Sequence, residues 1–314
     1  MSTDLRDSFF DEIYKIGAID NRIVIITNDM DIFSLRRFKE KYPQRFVNAG
    51  VAEQNMINVA AGLASCGKKV IIYGILPFLI YRCYEQIKFN ICSMNLDVLF
   101  VGIGNGLSFS FDGPTHHGNL DIPCLLGLPE LEIYNPGDTY SANLVAKKAI
   151  LSKKPTFVRL DKGVFPSFKS FLNYDGFNIL NKLNKINIIS TGYYSQFLPN
   201  INEYLKKNGY EAGLIDIYKL KEINKKIFSR VLSKSKFLFI IEEHSVNTGL
   251  GSVINNLIKI NDLKIKTFLI GLKDQQIFDY GDRDWLLAKN RIDLNSIKRK
   301  LLFLIKKNGN QSKR

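Results

Sequence analysis

The sequence predicts an α/β protein of two domains, each a mostly parallel sheet flanked by helices. The length of 314 residues exceeds what one hydrophobic core usually serves. Strand-length runs rich in β-branched residues recur without alternating with polar ones, which is typical of strands buried on both faces. These runs alternate with helix-length segments, as in sheets built from right-handed crossovers.

The first predicted domain spans residues 1–165 and is followed by a linker at 166–182. The linker is predicted because this stretch combines Gly, Pro and aromatic residues without a period. The strands expected in the first domain are 22–27, 68–75, 96–103, 131–136 and 155–160. The helices expected there are 33–41, 52–66, 78–93 and 138–151.

The second predicted domain is smaller and spans residues 183–306. The polar residues 307–314 are expected to form a disordered tail. The strands expected in the second domain are 186–192, 211–220, 236–244 and 264–272. The helices expected there are 196–208, 223–233, 249–261 and 294–306.

The composition argues against a membrane protein and against a nucleic-acid-binding protein. No run of eighteen apolar residues occurs, and the acidic N-terminus lacks a signal peptide's apolar core, so a cytoplasmic location is expected. The formal net charge of +14 comes from scattered lysines rather than from an Arg stripe with aromatics. The four cysteines have no paired metal spacing and are expected to be reduced.

A carboxylate stands in an unusual place at the start of the predicted helix 52–66. Small and apolar residues surround Glu53, and no basic residue follows it before Lys68. Burying a carboxylate is costly unless a partner meets it. The sequence therefore raises the question of what Glu53 contacts.

An aromatic stripe begins the next predicted helix, at 78–93. Phe78, Tyr81 and Tyr84 recur every third residue. Such a stripe usually packs in a core, although the same rings can stack on an aromatic ligand. Both interpretations stay open from the residues alone.

The stretch "FDGPTHHGNLD" follows a glycine-rich loop at the carboxyl end of a predicted strand, where open α/β sheets bind ligands. It carries Asp112, His116, His117 and Asp121, which offer hydrogen bonds and acid–base groups at neutral pH. Arg159, at the end of another strand, is a candidate clamp for a carboxylate or phosphate, with a structural salt bridge as the alternative.

Together these stretches resemble the C-terminal half of transketolases and of the related deoxyxylulose-phosphate synthases. The resemblance implies a pyrimidine-binding domain, a transketolase C-terminal domain, thiamine diphosphate as cofactor, and transfer of a two-carbon ketol unit from a ketose to an aldose. The matching segments, in the order of the family, are "YPQRFVNAGVAEQNMINVAAGLASCGKKV", "PFLIYRCYEQIK", "DGPTHHGNLDIPCL", "YNPGDTYSA", "KKPTFVRLDKG" and "EEHSVNTGLGS".

The resemblance also implies roles for the residues near the cofactor. Glu53 matches the glutamate that meets N1′ of the aminopyrimidine and activates the cofactor, so we expect it to meet this ring nitrogen rather than a basic residue. An apolar setting favours the protonated form of a carboxyl that this role needs. Phe78, Tyr81 and Tyr84 match the aromatic residues that stack on the pyrimidine, and Asp29 matches an aspartate near the cofactor.

A second set of implied roles concerns the sugar. Asp112 matches a residue that holds a donor hydroxyl, and His116 matches a catalytic histidine that bonds hydroxyls near the reacting carbons. His117, one step further along, is a second candidate for the same loop. Arg159 matches the arginine that contacts the distal phosphate of the sugar.

The sequence departs from the family at the phosphate contacts. Gly104 stands where transketolases carry a phosphate-contacting histidine, and Ser34 matches a family serine only after a one-residue shift. The substrate is therefore expected to be unphosphorylated, phosphorylated differently, or an activated sugar.

A larger departure concerns the cofactor's diphosphate. No Gly-Asp-Gly motif followed by Asn is present, so no metal site is expected here. The resemblance then implies a split enzyme. An N-terminal subunit would share the thiamine diphosphate and hold its Mg²⁺ or Ca²⁺, in an α2β2 heterotetramer assembled through a dimer of this chain.

Other functions stay open at this point. One is a deoxyxylulose-phosphate-synthase-like condensation of pyruvate with an aldehyde, and another is a non-catalytic transketolase-like partner subunit. The β subunit of a 2-oxoacid dehydrogenase has the same domains but lacks a DGPTH loop. Glu243 and His244 resemble a catalytic pair, yet the family places no catalytic residue in this domain, so we interpret them as strand-end structure.

Overall fold

Two six-stranded sheets, one in each half of the chain, form the framework of the protein. The computed structural model describes residues 3–30, 32–168 and 170–309. The strands and helices of the first half are β1 (Thr3–Asp4), α1 (Leu5–Gly17), β2 (Ile23–Thr27), α2 (Phe33–Lys41), β3 (Phe46–Asn48), α3 (Glu53–Ser65), β4 (Lys69–Ile75), α4 (Leu76–Tyr81), α5 (Tyr84–Gln86), β5 (Val98–Ile103), α6 (Ile122–Leu126), β6 (Glu132–Tyr134), α7 (Thr139–Leu151), β7 (Thr156–Leu160) and β8 (Val164–Phe165).

The first sheet is entirely parallel, in the order β3-β2-β4-β5-β7-β6. Every residue of β2, β5 and β7 is buried, because helices cover both faces of the sheet. The carboxyl ends of these strands meet at one edge, which is where ligands bind in open α/β sheets. A short antiparallel ribbon of β1 and β8 lies apart from this sheet.

The second half contains β9 (Leu172–Tyr174), β10 (Phe177–Asn181), β11 (Ile186–Ser190), α8 (Leu198–Lys207), β12 (Gly213–Ile217), α9 (Lys225–Leu232), β13 (Phe237–Ser245), α10 (Leu250–Ile260), β14 (Lys266–Leu272), α11 (Arg283–Lys289) and α12 (Leu294–Gly309). Its sheet has the order β14-β13-β11-β12-β10-β9. Strands β11 to β14 pair in parallel, while β10 pairs antiparallel with both β12 and β9.

The expected linker 166–182 is shorter in the structure, since residues 172–174 and 177–181 form β9 and β10. In β10, the polar Asn178 stands between Phe177 and Ile179, and all three side chains are buried. The sequence criterion was an unbroken apolar run, which Asn178 interrupts. The linker prediction was therefore wrong over these two strands.

The prediction of a disordered tail at 307–314 was wrong for residues 307–309. Helix α12 continues to Gly309, and the side chain of Asn308 accepts a hydrogen bond from Lys266 Nζ at 2.7 Å. Residues 310–314 lie outside the described residues. Within the described residues, no helix combines the length and the apolar character needed to cross a membrane.

The predicted helix 78–93 is interrupted in the structure. Helix α4 starts directly after β4, at Leu76, and ends at Tyr81. Arg82 and Cys83 then separate α4 from the single turn of α5, and a wide π-helical turn follows from Ile87 to Cys92. Because of this interruption, Arg82 lies outside both helices, and its side chain reaches the first residue of α3.

Candidate functional site

Glu53 is the first residue of α3 and lies beyond the carboxyl end of β3. Its side chain is only 3% exposed, and both carboxylate oxygens are occupied. Oε1 accepts a hydrogen bond from Asn28 Nδ2 at 3.1 Å, and Oε2 accepts one from Arg82 Nη1 at 3.0 Å. The expectation that Glu53 meets no basic residue was wrong, because Arg82 is a tertiary partner 29 residues along the chain.

Asn28 reaches Glu53 because it directly follows β2, at the carboxyl edge of the sheet. The neighbouring strand β4 contributes Gly74, where a Cβ atom would come within 2.9 Å of Asn28 Oδ1. A glycine here therefore makes room for the amide. Asn28 is buried, and its Oδ1 has no hydrogen-bond partner within the described structure.

Arg82 joins Glu53 to the aromatic stripe. Its guanidinium carbon lies 4.2 Å from the centroid of the Phe78 ring, a cation–π contact. The carbonyl of Arg82 accepts a hydrogen bond from Gln54 Nε2 at 2.8 Å, which ties the break after α4 to the first turn of α3. The side chain of Arg82 is 45% exposed, so this group forms the outer wall of the site.

His116 lies on the other side of Phe78. The centroids of the two rings are 4.8 Å apart in an edge-to-face arrangement. Thr115 Oγ1 lies 3.0 Å from His116 Nδ1. Glu53, Arg82, Phe78 and His116 therefore form one continuous line of contacts.

The loop that carries His116 is anchored at its two ends by backbone hydrogen bonds. Gly106 and Gly118 exchange N–H···O bonds of 2.8 Å. Gly104 has a φ of +103°, and the ring of Phe109 stands where its Cβ would be, so a histidine cannot be accommodated at this position. Asp112 is exposed on the same loop.

His117 points inward, unlike His116. It is 2% exposed, and neither ring nitrogen has a hydrogen-bond partner within the described structure. Burial, with a further effect of His116, lowers the pKa of His117 to about 4. The ring is therefore neutral at pH 7.

The rest of the aromatic stripe faces a different environment. Tyr81 and Tyr84 line an open pocket of about 410 Å³ together with Pro123 and Cys124. Tyr81 is 47% exposed, and partial burial of its hydroxyl raises its pKa. Within the stripe, Phe78 is the ring that contacts Arg82 and His116.

Arg159 is turned into the protein. It is 3% exposed, and its Nε and Nη2 donate to the carboxylate of Asp121 at 2.6 and 2.9 Å. Nη2 also donates to the carbonyl of Gly118 at 3.0 Å. This geometry favours the salt-bridge interpretation of Arg159 over that of a phosphate clamp, because Asp121 takes up the face that a phosphate would need.

Two further residues of the sequence hypothesis lie near β2. Asp29 is exposed with a φ of +58°, and its backbone N–H donates to Asn48 Oδ1 at 2.9 Å. Ser34, the family serine in question, hydrogen-bonds Asp7 of α1. Asp29 is thus beside Asn28 at the sheet edge, whereas Ser34 is engaged between two helices.

Glu242 and His244 make buried contacts near the carboxyl end of β13. Glu242 accepts hydrogen bonds from the backbone N–H groups of Leu250 and Gly251, at 2.6 and 2.9 Å, and so caps the start of α10. His244 Nε2 accepts from the N–H of Ile122 at 3.3 Å. Both residues serve structure through these contacts.

The sequence hypothesis did not include Asn28 or the role of Arg82. Asn28 follows a predicted strand directly, so its position at the carboxyl edge was a usable signal. Arg82 lies in a quoted stretch but carries no signal of its own, because its contact with Glu53 depends on the interruption after α4. Across the described residues, no three His, Cys, Asp or Glu side chains are grouped as they would be around a metal ion.

Known protein families match both halves of the chain. A model of the transketolase pyrimidine-binding domain matches residues 2–167, and a model of the transketolase C-terminal domain matches residues 176–292. The chain belongs to the transketolase family. The predicted family is thereby confirmed.

Several relatives match nearly the whole chain. An apulose-4-phosphate transketolase subunit of Phocaeicola vulgatus is 26% identical over 307 residues, covering 96% of this chain and 97% of that protein. A putative transketolase C-terminal section of Methanocaldococcus jannaschii is 29% identical, with 96% of both chains covered. A 1-deoxy-D-xylulose-5-phosphate synthase of Halothermothrix orenii is 29% identical, but the match covers 95% of this chain and 47% of that protein.

Solved structures show the same fold. A structure described as a split-gene transketolase, an inactive β4 tetramer, superposes with a TM-score of 0.83 at 23% identity, covering 95% of this chain and 97% of that one. The transketolase of Campylobacter jejuni superposes with a TM-score of 0.79 at 14% identity, covering 96% of this chain and 46% of that one. The predicted α/β architecture of two mostly parallel sheets is confirmed.

Proposed function

We propose that this chain is the C-terminal subunit of a split, thiamine-diphosphate-dependent transketolase that transfers a two-carbon ketol unit from a ketose to an aldose. The observation that carries the proposal is the buried carboxylate of Glu53. The planar guanidinium of Arg82 links this carboxylate to the face of the Phe78 ring. Relatives named as a transketolase subunit and as a transketolase C-terminal section have the same extent, which supports a split enzyme.

The residues present fit the aminopyrimidine end of the cofactor. The guanidinium of Arg82 contacts Glu53 with its edge and Phe78 with its face. A pyrimidine is also planar, so it can make the same two contacts, with N1′ toward the carboxyl and the ring on Phe78. Asn28 keeps the Glu53 carboxyl aimed at this place through Nδ2.

In this proposal Glu53 holds a proton between its carboxyl oxygen and N1′ of the pyrimidine. When bound, the cofactor supplies a carbon nucleophile for attack on a carbonyl. His116, in contact with Phe78, is placed to hydrogen-bond a sugar hydroxyl beside the reacting carbons, and the exposed Asp112 on the same loop is placed to hold another. Tyr81, Tyr84 and Asp29 stay candidates for cofactor contacts at the rim.

The rest of the cofactor site is assigned to a partner. The described residues contain no grouped metal ligands, and a diphosphate requires such a metal or strong cationic contacts. We therefore assign the diphosphate and its Mg²⁺ or Ca²⁺ to an N-terminal transketolase subunit. The assembly proposed is a cytoplasmic α2β2 heterotetramer, formed through a dimer of this chain.

The chemistry of the second substrate separates two reactions. Matches at 26–29% identity to 1-deoxy-D-xylulose-5-phosphate synthases favour, as the second candidate, the condensation of pyruvate with an aldehyde.

The test is to mix this chain with an N-terminal transketolase half encoded beside it, thiamine diphosphate and Mg²⁺. Ketose and aldose pairs are then assayed against pyruvate with an aldehyde. Absence of both turnover and cofactor binding in the mixture would overturn the enzyme proposal and favour a non-catalytic subunit.

The Glu53→Gln variant tests the role of the buried carboxyl directly. We expect turnover to fall by about a hundredfold or more, because an amide cannot exchange the proton at N1′. Assembly with the N-terminal half should stay intact, as measured by size-exclusion chromatography. The matched control is Glu203→Gln, an exposed carboxylate on α8 paired with Lys207, which should keep the parental rate. A Glu53→Gln variant with the parental rate would exclude Glu53 as the activating group.

A further inference from the structure

We infer that Arg82 competes with the aminopyrimidine for one place, so that cofactor binding requires its guanidinium to leave Glu53 and Phe78. The inference rests on the proposed function, because it takes Glu53 and Phe78 as the groups that hold the pyrimidine. It adds to that function a residue, Arg82, that opposes binding of the cofactor to this subunit in the absence of a partner.

The carboxylate of Glu53 is already occupied by two donors. Asn28 donates to Oε1 and Arg82 donates to Oε2, and the side chain of Glu53 is 3% exposed. A ligand ring that approaches Oε2 across the face of Phe78 therefore meets the donor that already lies there. Asn28 is 6% exposed and held beside Gly74, whereas the Arg82 side chain is 45% exposed. Arg82 is the donor that can leave into solvent.

The face of Phe78 is occupied by the same guanidinium. Its carbon lies 4.2 Å from the ring centroid, within ordinary stacking distance of the phenyl ring. On another side, the edge-to-face contact with His116 at 4.8 Å limits access to the same ring. A pyrimidine stacked on Phe78 and bonded to Glu53 Oε2 takes the same space as this guanidinium.

The competition is modest in size. An exposed cation–π contact and a half-exposed ion pair each contribute little, so Arg82 is expected to weaken pyrimidine binding by about three- to thirtyfold in all. A penalty of this size is overcome when a partner subunit adds the diphosphate contacts. The same penalty matters most for the subunit alone, because the diphosphate contacts do not add to the affinity there.

The experiment uses the full chain and the uncharged fragment 4-amino-5-hydroxymethyl-2-methylpyrimidine, whose affinity is measured by calorimetry or ligand-observed NMR. Arg82→Ala should bind the fragment about three- to thirtyfold more tightly than the parental chain. Arg82→Lys keeps a cation for Glu53 but has no planar face, so its affinity should lie between the two. The control is Arg22→Ala, which removes an exposed arginine paired with Asp20 before β2 and should leave the affinity unchanged.

The outcomes distinguish this inference from the proposed function. Equal or weaker binding by Arg82→Ala, with measurable binding by the parental chain, would overturn the competition while leaving the pyrimidine site in place. Absence of binding by every variant would overturn the pyrimidine site itself, and the inference with it. Circular dichroism and thermal unfolding of each variant verify that a change in affinity does not come from misfolding.

Discussion

At the residue scale, His244 is a neutral imidazole buried between the two domains. Its Nε2 lies 3.7 Å from Asp121 Oδ1 and accepts the backbone N–H of Ile122. Burial is the largest influence and lowers the pKa of His244 to about 4, although Asp121 acts in the opposite direction and Arg159 in the same direction. Protonation of this ring therefore opposes folding.

The pH dependence of a His244→Gln variant tests this state. Between pH 4 and 6.5 the unfolded chain binds more protons at position 244 than the folded chain, so this group makes stability fall as the pH is lowered. A glutamine can still accept from Ile122 but does not titrate. The destabilisation caused by the substitution should shrink by about 2 kcal/mol from pH 7 to pH 5, as measured by urea unfolding. A constant cost across this range would mean that the pKa of His244 is the same in the folded and the unfolded chain.

The contacts of individual residues were predictable from the sequence to different degrees. Glu53 stood out because a carboxylate at the start of an apolar helix requires a partner. The structure shows that this carboxylate is buried, as the apolar surroundings indicated. The partner Arg82 could not be found, because its approach depends on where α4 ends. Arg159 was open between clamp and salt bridge, and its partner Asp121 lies 38 residues away in a loop. Side-chain pairing between distant segments is the part that periodicity does not encode.

At the scale of elements, the short helix α11 ties the two domains together through Arg283. Its guanidinium donates to Asp161, beyond β7, at 3.0 and 2.6 Å, and to Glu243 of β13, at 2.9 Å through Nε. It also stacks on Tyr193, with 3.6 Å between the guanidinium carbon and the ring centroid. Both carboxylates are buried, so they depend on this one cation.

Replacing Arg283 by Met should destabilise the protein by about 3–5 kcal/mol, because two buried carboxylates lose their shared partner. The control is Lys289→Ala on the same helix, which removes an exposed ion pair with Asp279 and should cost less than about 1 kcal/mol. Trp285, the single tryptophan of the sequence, lies in α11, so its fluorescence reports on this helix during urea unfolding. A cost for Arg283→Met no larger than that of the control would contradict the role of this clamp.

Elements were predictable according to how they are buried. The central strands β2, β4, β5 and β7 were found within about two residues, because burial on both faces produces unbroken apolar runs. The antiparallel strands β9 and β10 were assigned to a linker, because no unbroken apolar run marks them. The helix α1 was not predicted either, although Phe9, Phe10 and Ile13 pack it into the core.

At the scale of the whole molecule, the two domains meet through polar groups as well as apolar ones. Asn135, which follows β6, donates to Thr191 Oγ1 of the second domain at 2.9 Å, and Asn105, also in the first domain, donates to Asn135 Oδ1 at 2.8 Å. Lys219 bridges to Glu132 across the same boundary at 3.0 Å. The order of the domains was predictable from the strand runs, but these contacts between distant segments were not.

The proposed division of the cofactor site between two chains leads to a prediction about affinity. On this chain alone, thiamine diphosphate and the uncharged pyrimidine fragment should bind within about tenfold of each other at 0.15 M salt, because the described residues include no group of His, Cys, Asp or Glu side chains that could bind a metal ion for the diphosphate. Adding the N-terminal half and Mg²⁺ should tighten thiamine diphosphate by about a hundredfold or more, through charge-assisted contacts and the metal. The fragment should change by less than about tenfold, since it lacks the diphosphate. Calorimetry with and without the N-terminal half measures both ligands. If this chain alone bound thiamine diphosphate about a thousandfold more tightly than the fragment, the diphosphate site would belong to this chain and the split of the site would be wrong.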